Sequence, residues 1–285
     1  MTGSQEAAST MSTQAERGRI FRALHERDRA FIIPNPWNAG TARLLAHLGF
    51  EALATTSMGY AFAVGRTDGS LGRDETLKGA AEIVGATDLP VSADLENGFG
   101  DAPEAAAETI RLAAAEGLVG GSIEDATGRP DHPIYELRHA VERVRAAAEA
   151  ARALPFKFTL TARAENFLHG RPDIKDTIAR LQAFQEAGAD VLYAPGLATK
   201  DDIAAVVRSV DRPVNVLMGL RGVQLSAAEL SAMGVKRISV GSTLARAALG
   251  AFLRGAKEMR EKGTFTFAAD AVNSGEITAI FGAYR

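Results

Sequence analysis

The sequence predicts a (β/α)8 TIM barrel of the α/β class, with an extra C-terminal helix. Three observations predict it. Short apolar runs and helical patterns alternate eight times along the chain. The runs are continuously apolar, as strands covered on both faces should be. The length, 285 residues, suits a fold that typically needs about 250. A doubly wound open sheet is the rival. It would call for a G-x-G-x-x-G after the first strand or a G-x-x-x-x-G-K-[ST] elsewhere, and the chain has neither.

A leading helix is read around Gln14 to His25. Phe31 to Ile33 is the first strand, closed by Pro34-Asn35-Pro36, and Asn38 to Leu48 is a helix with Gly49 behind it. Ala52 to Thr55 is strand two, Arg73 to Gly85 its helix, and Val91 to Asp94 strand three. Ala102 to Glu116 is a helix ended by Gly117, and Leu118 to Ile123 is strand four. Tyr135 to Ala153 is an alanine-rich helix, Lys157 to Thr161 strand five, and Asp173 to Ala187 its helix. Val191 to Tyr193 with Lys200 to Ser209, Val214 to Leu217 with Ser226 to Met233, and Arg237 to Val240 with Ser242 to Glu261 complete the units. The apolar residues beyond Gly263, ending in Ala271 to Phe281, lie past the eighth helix and need burying. A helix left over after barrel closure is expected to pack on a neighbouring subunit, so a homo-oligomer, dimer or tetramer, is expected. Residues 1–17 read as a polar, disordered tail, and residues 18–285 as a single domain.

Composition removes several chemistries. With no cysteine there is no disulfide, no thiolate nucleophile and no zinc–thiolate site. A net charge of -3 gives no basic field for nucleic acid or acidic membranes. No apolar run approaches the roughly 18 residues of a membrane span, and the first residues lack a signal-peptide core, so a cytoplasmic protein is expected.

In such a barrel the C-terminal strand ends converge on one mouth, where function sits. Those ends carry Ser57, Asp94, Glu96, Glu124, Arg163, Glu165, Asn215 and Ser242. Strand three stops in Asp94 and Glu96 before two turning glycines, and strand four in Glu124-Asp125. Carboxylates gathered there with no lysine or arginine between them would repel, and a hard divalent cation, Mg²⁺ or Mn²⁺, would neutralise them. The bland alternatives are a helix N-cap at Glu124-Asp125, a surface pair of Arg163 and Glu165, or a structural ring of ion pairs.

The segments T-T-S-M-G-Y-A with Asp68 beyond it, D-L-E-N-G-F-G, S-I-E-D and T-A-R-A-E-N-F resemble, in order and spacing, the isocitrate lyase/phosphoenolpyruvate mutase superfamily. The resemblance implies a (β/α)8 barrel, usually tetrameric with exchanged last helices, that uses Mg²⁺ to hold a 2-oxo acid or its enolate. It implies that Asp68, Asp94, Glu96 and Glu124 hold the metal, directly or through water. Arg163 would bind the substrate carboxylate, and Thr56, Ser57 and Met58 would meet substrate oxygens; Glu165 and Asn215 are substrate-binding candidates from their place at the strand ends. A planar guanidinium suits a carboxylate better than an ammonium does.

Departures from that pattern bear on the reaction. The isocitrate and methylisocitrate lyases carry K-[KR]-C-G-H after strand four, with a catalytic cysteine. Here the loop reads E-D-A-T-G-R-P-D-H-P. The lysine and asparagine contacts of the phosphonomutase lid are missing too, Glu96 stands where aspartate is usual, and Ser57 replaces a frequent glycine. His132 in that loop is a candidate to supply a proton, and Tyr60 or Tyr193 near the mouth to donate to an oxyanion, each with a plain alternative as a turn residue or a packing ring. The loop from Asp125 to Pro133 is expected to be a mobile lid. The leading expectation is a Mg²⁺-dependent enzyme that cleaves a C–C bond of a small 2-oxo or 2-hydroxy (di)carboxylic acid through an enolate, by retro-aldol cleavage or decarboxylation. A phosphonomutase or C–C hydrolase comes next. A barrel binding a sugar phosphate at the Gly241-Ser242 turn, or a non-catalytic ligand-binding barrel, completes the set.

Overall fold

The computed structural model describes residues 12–220 and 223–284. Its eight strands are β1 (Phe31–Ile33), β2 (Leu53–Ala54), β3 (Val91–Asp94), β4 (Gly120–Glu124), β5 (Thr159–Arg163), β6 (Val191–Tyr193), β7 (Val214–Leu217) and β8 (Arg237–Ser239). They pair in parallel in the order β1-β8-β7-β6-β5-β4-β3-β2. Across the remaining seam the Ala54 amide donates to the Pro34 carbonyl at 3.1 Å, so the barrel is nearly closed.

The helices are α1 (Gln14–Glu26), α2 (Ala39–His47), α3 (Ser57–Ala63), α4 (Arg73–Val84), α5 (Pro103–Ala115), α6 (Leu137–Arg152), α7 (Ile174–Ala187), α8 (Lys200–Ser209), α9 (Ala227–Ala232), α10 (Thr243–Lys262) and α11 (Ser274–Gly282). Alternation therefore holds as expected, with one addition. Thr56-Ser57-Met58, assigned to no helix from the sequence, opens α3, because the Thr56 side chain caps it by accepting from the Gly59 amide.

Two strand registers move. β4 begins at Gly120 rather than Leu118, and β5 runs to Arg163 rather than stopping at Thr161. The second shift matters, because in a strand Thr159, Thr161 and Arg163 share one face, and Arg163 pairs with Glu124. The expected tail also shortens. Thr13 caps α1 in a capping box with Glu16, and Gln14 donates to the carbonyls of Ala114 and Leu118. The tail's first eleven residues lie outside the described part.

The core has two layers. Between strands and helices lies a large aliphatic cluster that includes Leu53, Leu95, Ile110, Ile123, Leu160 and Phe184. Beneath the barrel α1 acts as a plug: Phe21 and Leu24 are fully buried against Phe31, Ile33, Ala52 and Val119. Gly120 makes room for that plug, since a Cβ there would lie 2.7 Å from the Phe21 ring. A Phe or Leu buried in this way contributes about 1.5–3 kcal/mol.

At the other end of the chain, α11 packs on α2 of the same chain. Tyr284 Oη donates to the Arg43 carbonyl at 3.2 Å, and the Arg43 guanidinium lies 5.6 Å from the Tyr284 ring centroid. The outer face of α10 keeps Leu249, Phe252 and Leu253 exposed, Phe252 at 71%.

Candidate active site

A cavity of about 720 Å³ opens at the C-terminal ends of the strands. Its acidic wall is built by three neighbours. β3 delivers Asp94, β4 Glu124 and β5 Arg163, with Glu165 two residues further on. The Arg163 guanidinium lies among them: Nη1 is 2.8 Å from Asp94, Nη2 3.0 Å from Glu124, and Nη2 2.9 Å from Glu165. The Tyr193 ring lies 5.3 Å from it. The expectation of acids with no arginine between them is therefore corrected, because extending β5 by two residues brings Arg163 inward to serve as their internal counter-charge.

That charge reaches every acid but does not outweigh burial and repulsion at each. Burial opposes the Arg163 charge, yet Glu124, Glu165 and Asp94 outweigh it and hold its pKa well above the usual value. Glu96, by contrast, is pushed up to about 7 by burial and by the negative charges of Asp94 and Asp68. Burial and Asp94 likewise raise Asp68. Among the described residues no three His, Cys, Asp or Glu side chains converge closely enough to hold a metal by themselves. The all-oxygen set of Asp68, Asp94 and Glu96, crowded with like charge, still fits a hard divalent cation that completes its coordination with water.

Beneath this layer a second charged group sets the position of Glu165. Asp125 accepts from the Glu165 amide at 2.8 Å and from Arg180 at 3.0 Å, and Arg180 also donates to the Tyr135 carbonyl. Burial lifts the Asp125 carboxyl to about 6 against both partners.

The remaining expected residues divide. Thr56, Ser57, Met58 and Asp68 line the cavity. The Ser57 amide and hydroxyl both donate to Asp94 Oδ2, at 3.2 and 2.9 Å, so α3 orients that carboxylate. Asn215 lines the cavity floor but is only 1% exposed, and its amide is engaged inside the barrel with Ser239 and Arg237. Tyr60 turns away from the mouth and packs on Gly79, where a Cβ would lie 2.5 Å from its ring. His132 sits in an exposed turn, 3.9 Å from Asp131, and does not line the cavity. Neither lines the cavity, whereas Tyr193 does. The Gly241-Ser242 turn is also not an open anion cradle, because Asn35 Oδ1 already accepts from the amides of Val240 and Gly241, both at 2.9 Å.

The loop after β4, expected to be a mobile lid, is fastened at several points. Ala126 bridges Ile134 in antiparallel fashion. The Thr127 amide donates to Pro133 O, and the Thr127 hydroxyl to His132 O. Arg129 grips Asp101 at 2.7 and 2.9 Å across from the next loop.

The fold and these strand-end residues can be set beside known proteins. The family model described as phosphoenolpyruvate phosphomutase matches residues 21–260. The chain belongs to this family, part of the isocitrate lyase/phosphoenolpyruvate mutase superfamily. A candidate lyase/mutase from Burkholderia cenocepacia J2315 is 66% identical, with a TM-score of 0.92 over 94% of this chain and 96% of the other. An oxaloacetate decarboxylase of Pseudomonas savastanoi pv. phaseolicola is 28% identical over 85% of this chain and 84% of its own. A phosphonopyruvate hydrolase in complex with oxalate and Mg²⁺ is similar in fold, with a TM-score of 0.83 at 23% identity over 94% of this chain and 95% of the other.

Several residues of this phosphomutase-family site escaped the sequence reading. Arg246 on α10 and His169 after β5 both line the cavity. Arg180 and Arg143 are buried under it. For the buried pair a signal existed: each occupies the apolar stripe of an amphipathic helix, Arg143 with Ala140, Val144 and Ala147, and Arg180 with Thr177, Leu181 and Phe184. An arginine on that stripe must find buried acceptors.

Proposed function

We propose that this chain is a Mg²⁺-dependent enzyme, with Mn²⁺ able to substitute, that cleaves a C–C bond of a small 2-oxo or 2-hydroxy (di)carboxylic acid by retro-aldol cleavage or decarboxylation. The observation that carries the reading is the division of the strand-end acids. A single guanidinium, Arg163, pairs with Asp94, Glu124 and Glu165 and leaves acid in excess, Glu124 being raised well above the ordinary carboxylate range, while among the described residues no cation pairs with Asp68 or Glu96. Asp68, Asp94, Glu96 and Glu124 would hold the metal, directly or through water. When bound, it supplies positive charge beside a 2-oxo carboxylate, which favours cleavage of the neighbouring bond.

The chain's own residues would do the rest. A guanidinium has five N–H donors. In Arg163, Nε serves Glu165, Nη1 serves Asp94, and Nη2 serves Glu124 and Glu165. A substrate carboxylate therefore meets the remaining Nη1 hydrogen or displaces Glu124. Thr56, Ser57 and Met58 would frame the opposite side of the substrate. The short, fastened loop after β4 favours chemistry whose product tolerates water, such as release of a protonated 2-oxo acid, over phosphonyl transfer. The decarboxylase similarity points the same way.

A panel of 2-oxo and 2-hydroxy acids with and without Mg²⁺, together with deuterium exchange at C3 of pyruvate, tests the reading. Turnover and exchange that both require the metal are expected. Neither turnover nor exchange with any divalent cation would sink it.

The reading includes a homo-oligomer, dimer or tetramer, assembled through the exposed apolar face of α10. A sedimentation mass of one chain would refute that part. A cytoplasmic location goes with small-metabolite chemistry, and among the described residues no helix is long and apolar enough to cross a membrane.

A further inference from the structure

The turn joining β3 to α5 carries Glu96 and has an unusual backbone. Glu96 (φ 47°) and Phe99 (φ 58°) are the two non-glycine residues with positive φ among the described residues. L residues rarely adopt that region, and such conformations persist only where the surroundings over-determine them.

Here the surroundings converge on one side chain. Arg143 reaches from α6 into the turn and is 1% exposed. Its Nη1 donates to the carbonyls of Gly100, at 2.6 Å, and of Asp101, and its Nη2 donates to the carbonyl of Asn97. Among the described residues no carboxylate pairs with it; the Tyr135 ring lies 4.5 Å from its guanidinium. Tyr135 in turn donates to Asp101 at 2.5 Å, and Asp101 receives Arg129 from the β4 loop. One buried guanidinium thus gathers the turn that carries Glu96 and, through Tyr135 and Asp101, the loop that borders the mouth.

We propose that Arg143 is a positioning residue for the cation site, holding the 97–102 turn in the one conformation that places the Glu96 carboxylate beside Asp94 and Asp68. The inference rests on the cation reading above and extends it to a residue that touches no ligand. A planar fork with donors on both ends suits carbonyls spread along a turn. An ammonium is a single point from which they cannot all be reached.

The test is Mn²⁺ binding to the purified full chain, read by electron paramagnetic resonance of free Mn²⁺, with no substrate present. Arg143→Met should weaken Mn²⁺ binding by about 10–100-fold, as loss of outer partners of metal ligands commonly does, and Arg143→Lys should fall between it and wild type. Val144→Ala, a cavity on the same buried helix face, serves as the control for general loosening and should leave Mn²⁺ affinity unchanged. If Arg143→Met does not fold, Arg143→Lys decides, since wild-type affinity in the lysine variant would overturn the proposal. So would equal weakening by Val144→Ala. Wild-type protein that binds no Mn²⁺ would remove the cation reading itself, and this role with it. A wild type that binds and an Arg143 variant that binds equally well would remove only the role.

Discussion

The two sides of the barrel mouth use buried arginine in opposite ways. On the β3–β5 side, Arg163 is bonded to three carboxylates, with Asp68 and Glu96 beyond them. On the β7–β8 side, Arg237 pairs with no carboxylate among the described residues. It donates from Nε to Asn215 at 2.9 Å and from Nη2 to Thr161 at 3.0 Å, while Nη1 has no partner. The electrostatics follow. Arg163 is held strongly charged, whereas burial pulls Arg237 down to about 10. Both side chains line the inner surface of one barrel, Arg163 13% and Arg237 5% exposed, so burial separates them little. The balance of charge around them does: the side proposed as reactive has an excess of acid over guanidinium, and the other has a cation among neutral amides and hydroxyls.

The largest expected effect comes from removing the acid that both Arg163 and Ser57 address. Asp94→Ala should bring activity to background and should resemble wild type treated with EDTA. In wild type, added Mg²⁺ or Mn²⁺ should restore the rate; in the variant it should not. Steady-state rates with and without chelator decide this, with circular dichroism to show that the variant is folded. Full activity in either the variant or the chelated wild type would erase the distinction between the two sides.

How much of this was legible follows from where the information lies. Strand-end acids are visible because each ends a short apolar run, a local pattern. The barrel is visible because eight such runs repeat. The role of Arg163 as counter-charge was hidden by an end assignment two residues short. Alternation from Thr159 through Thr161 points Arg163 inward only once the strand is carried that far. Tyr60 was misplaced for a different reason, since its direction is decided by the space over Gly79, on another helix. The Gly241 turn looked open because the side chain that fills it, Asn35, comes from the opposite end of the chain. Long-range satisfaction of this kind leaves no periodic trace.

A second contrast sharpens the comparison in stability. Arg163→Met strands three carboxylates in a buried wall, and breaking such a pairing typically costs about 3–5 kcal/mol. Arg237→Met removes a buried cation that has no acid partner. It leaves the Asn215 oxygen without its donor, at about 1 kcal/mol, and relieves the desolvation that already depresses Arg237. Urea unfolding at neutral pH should therefore show a large loss for the first variant and a small change of either sign for the second. Equal losses would mean that the pairing geometry around Arg163 carries no special weight.

The smallest effect is expected at the seam, and it tests whether the β8 turn is structural. Asn35 is 5% exposed and stitches three elements: Oδ1 takes the Val240 and Gly241 amides, and Nδ2 donates to the Thr55 carbonyl at 3.0 Å. Asn35→Ala removes three hydrogen bonds, but the Val240 and Gly241 amides open to the cavity, so that one buried acceptor at most is stranded, a loss of about 1–3 kcal/mol. It also uncovers two amides at the start of α10, where a helix N-terminus favours an anion. Inorganic phosphate should then stabilise the variant and not the wild type. At ten times its dissociation constant the gain is about 1.4 kcal/mol, a rise of a few degrees in Tm for a domain of this size. Catalysis should be little changed, because no acid of the β3–β5 wall touches Asn35. Phosphate stabilisation of the wild type equal to that of the variant would mean that the turn already binds anions. A loss of activity as deep as that of Asp94→Ala would mean that the two sides of the mouth act as one site.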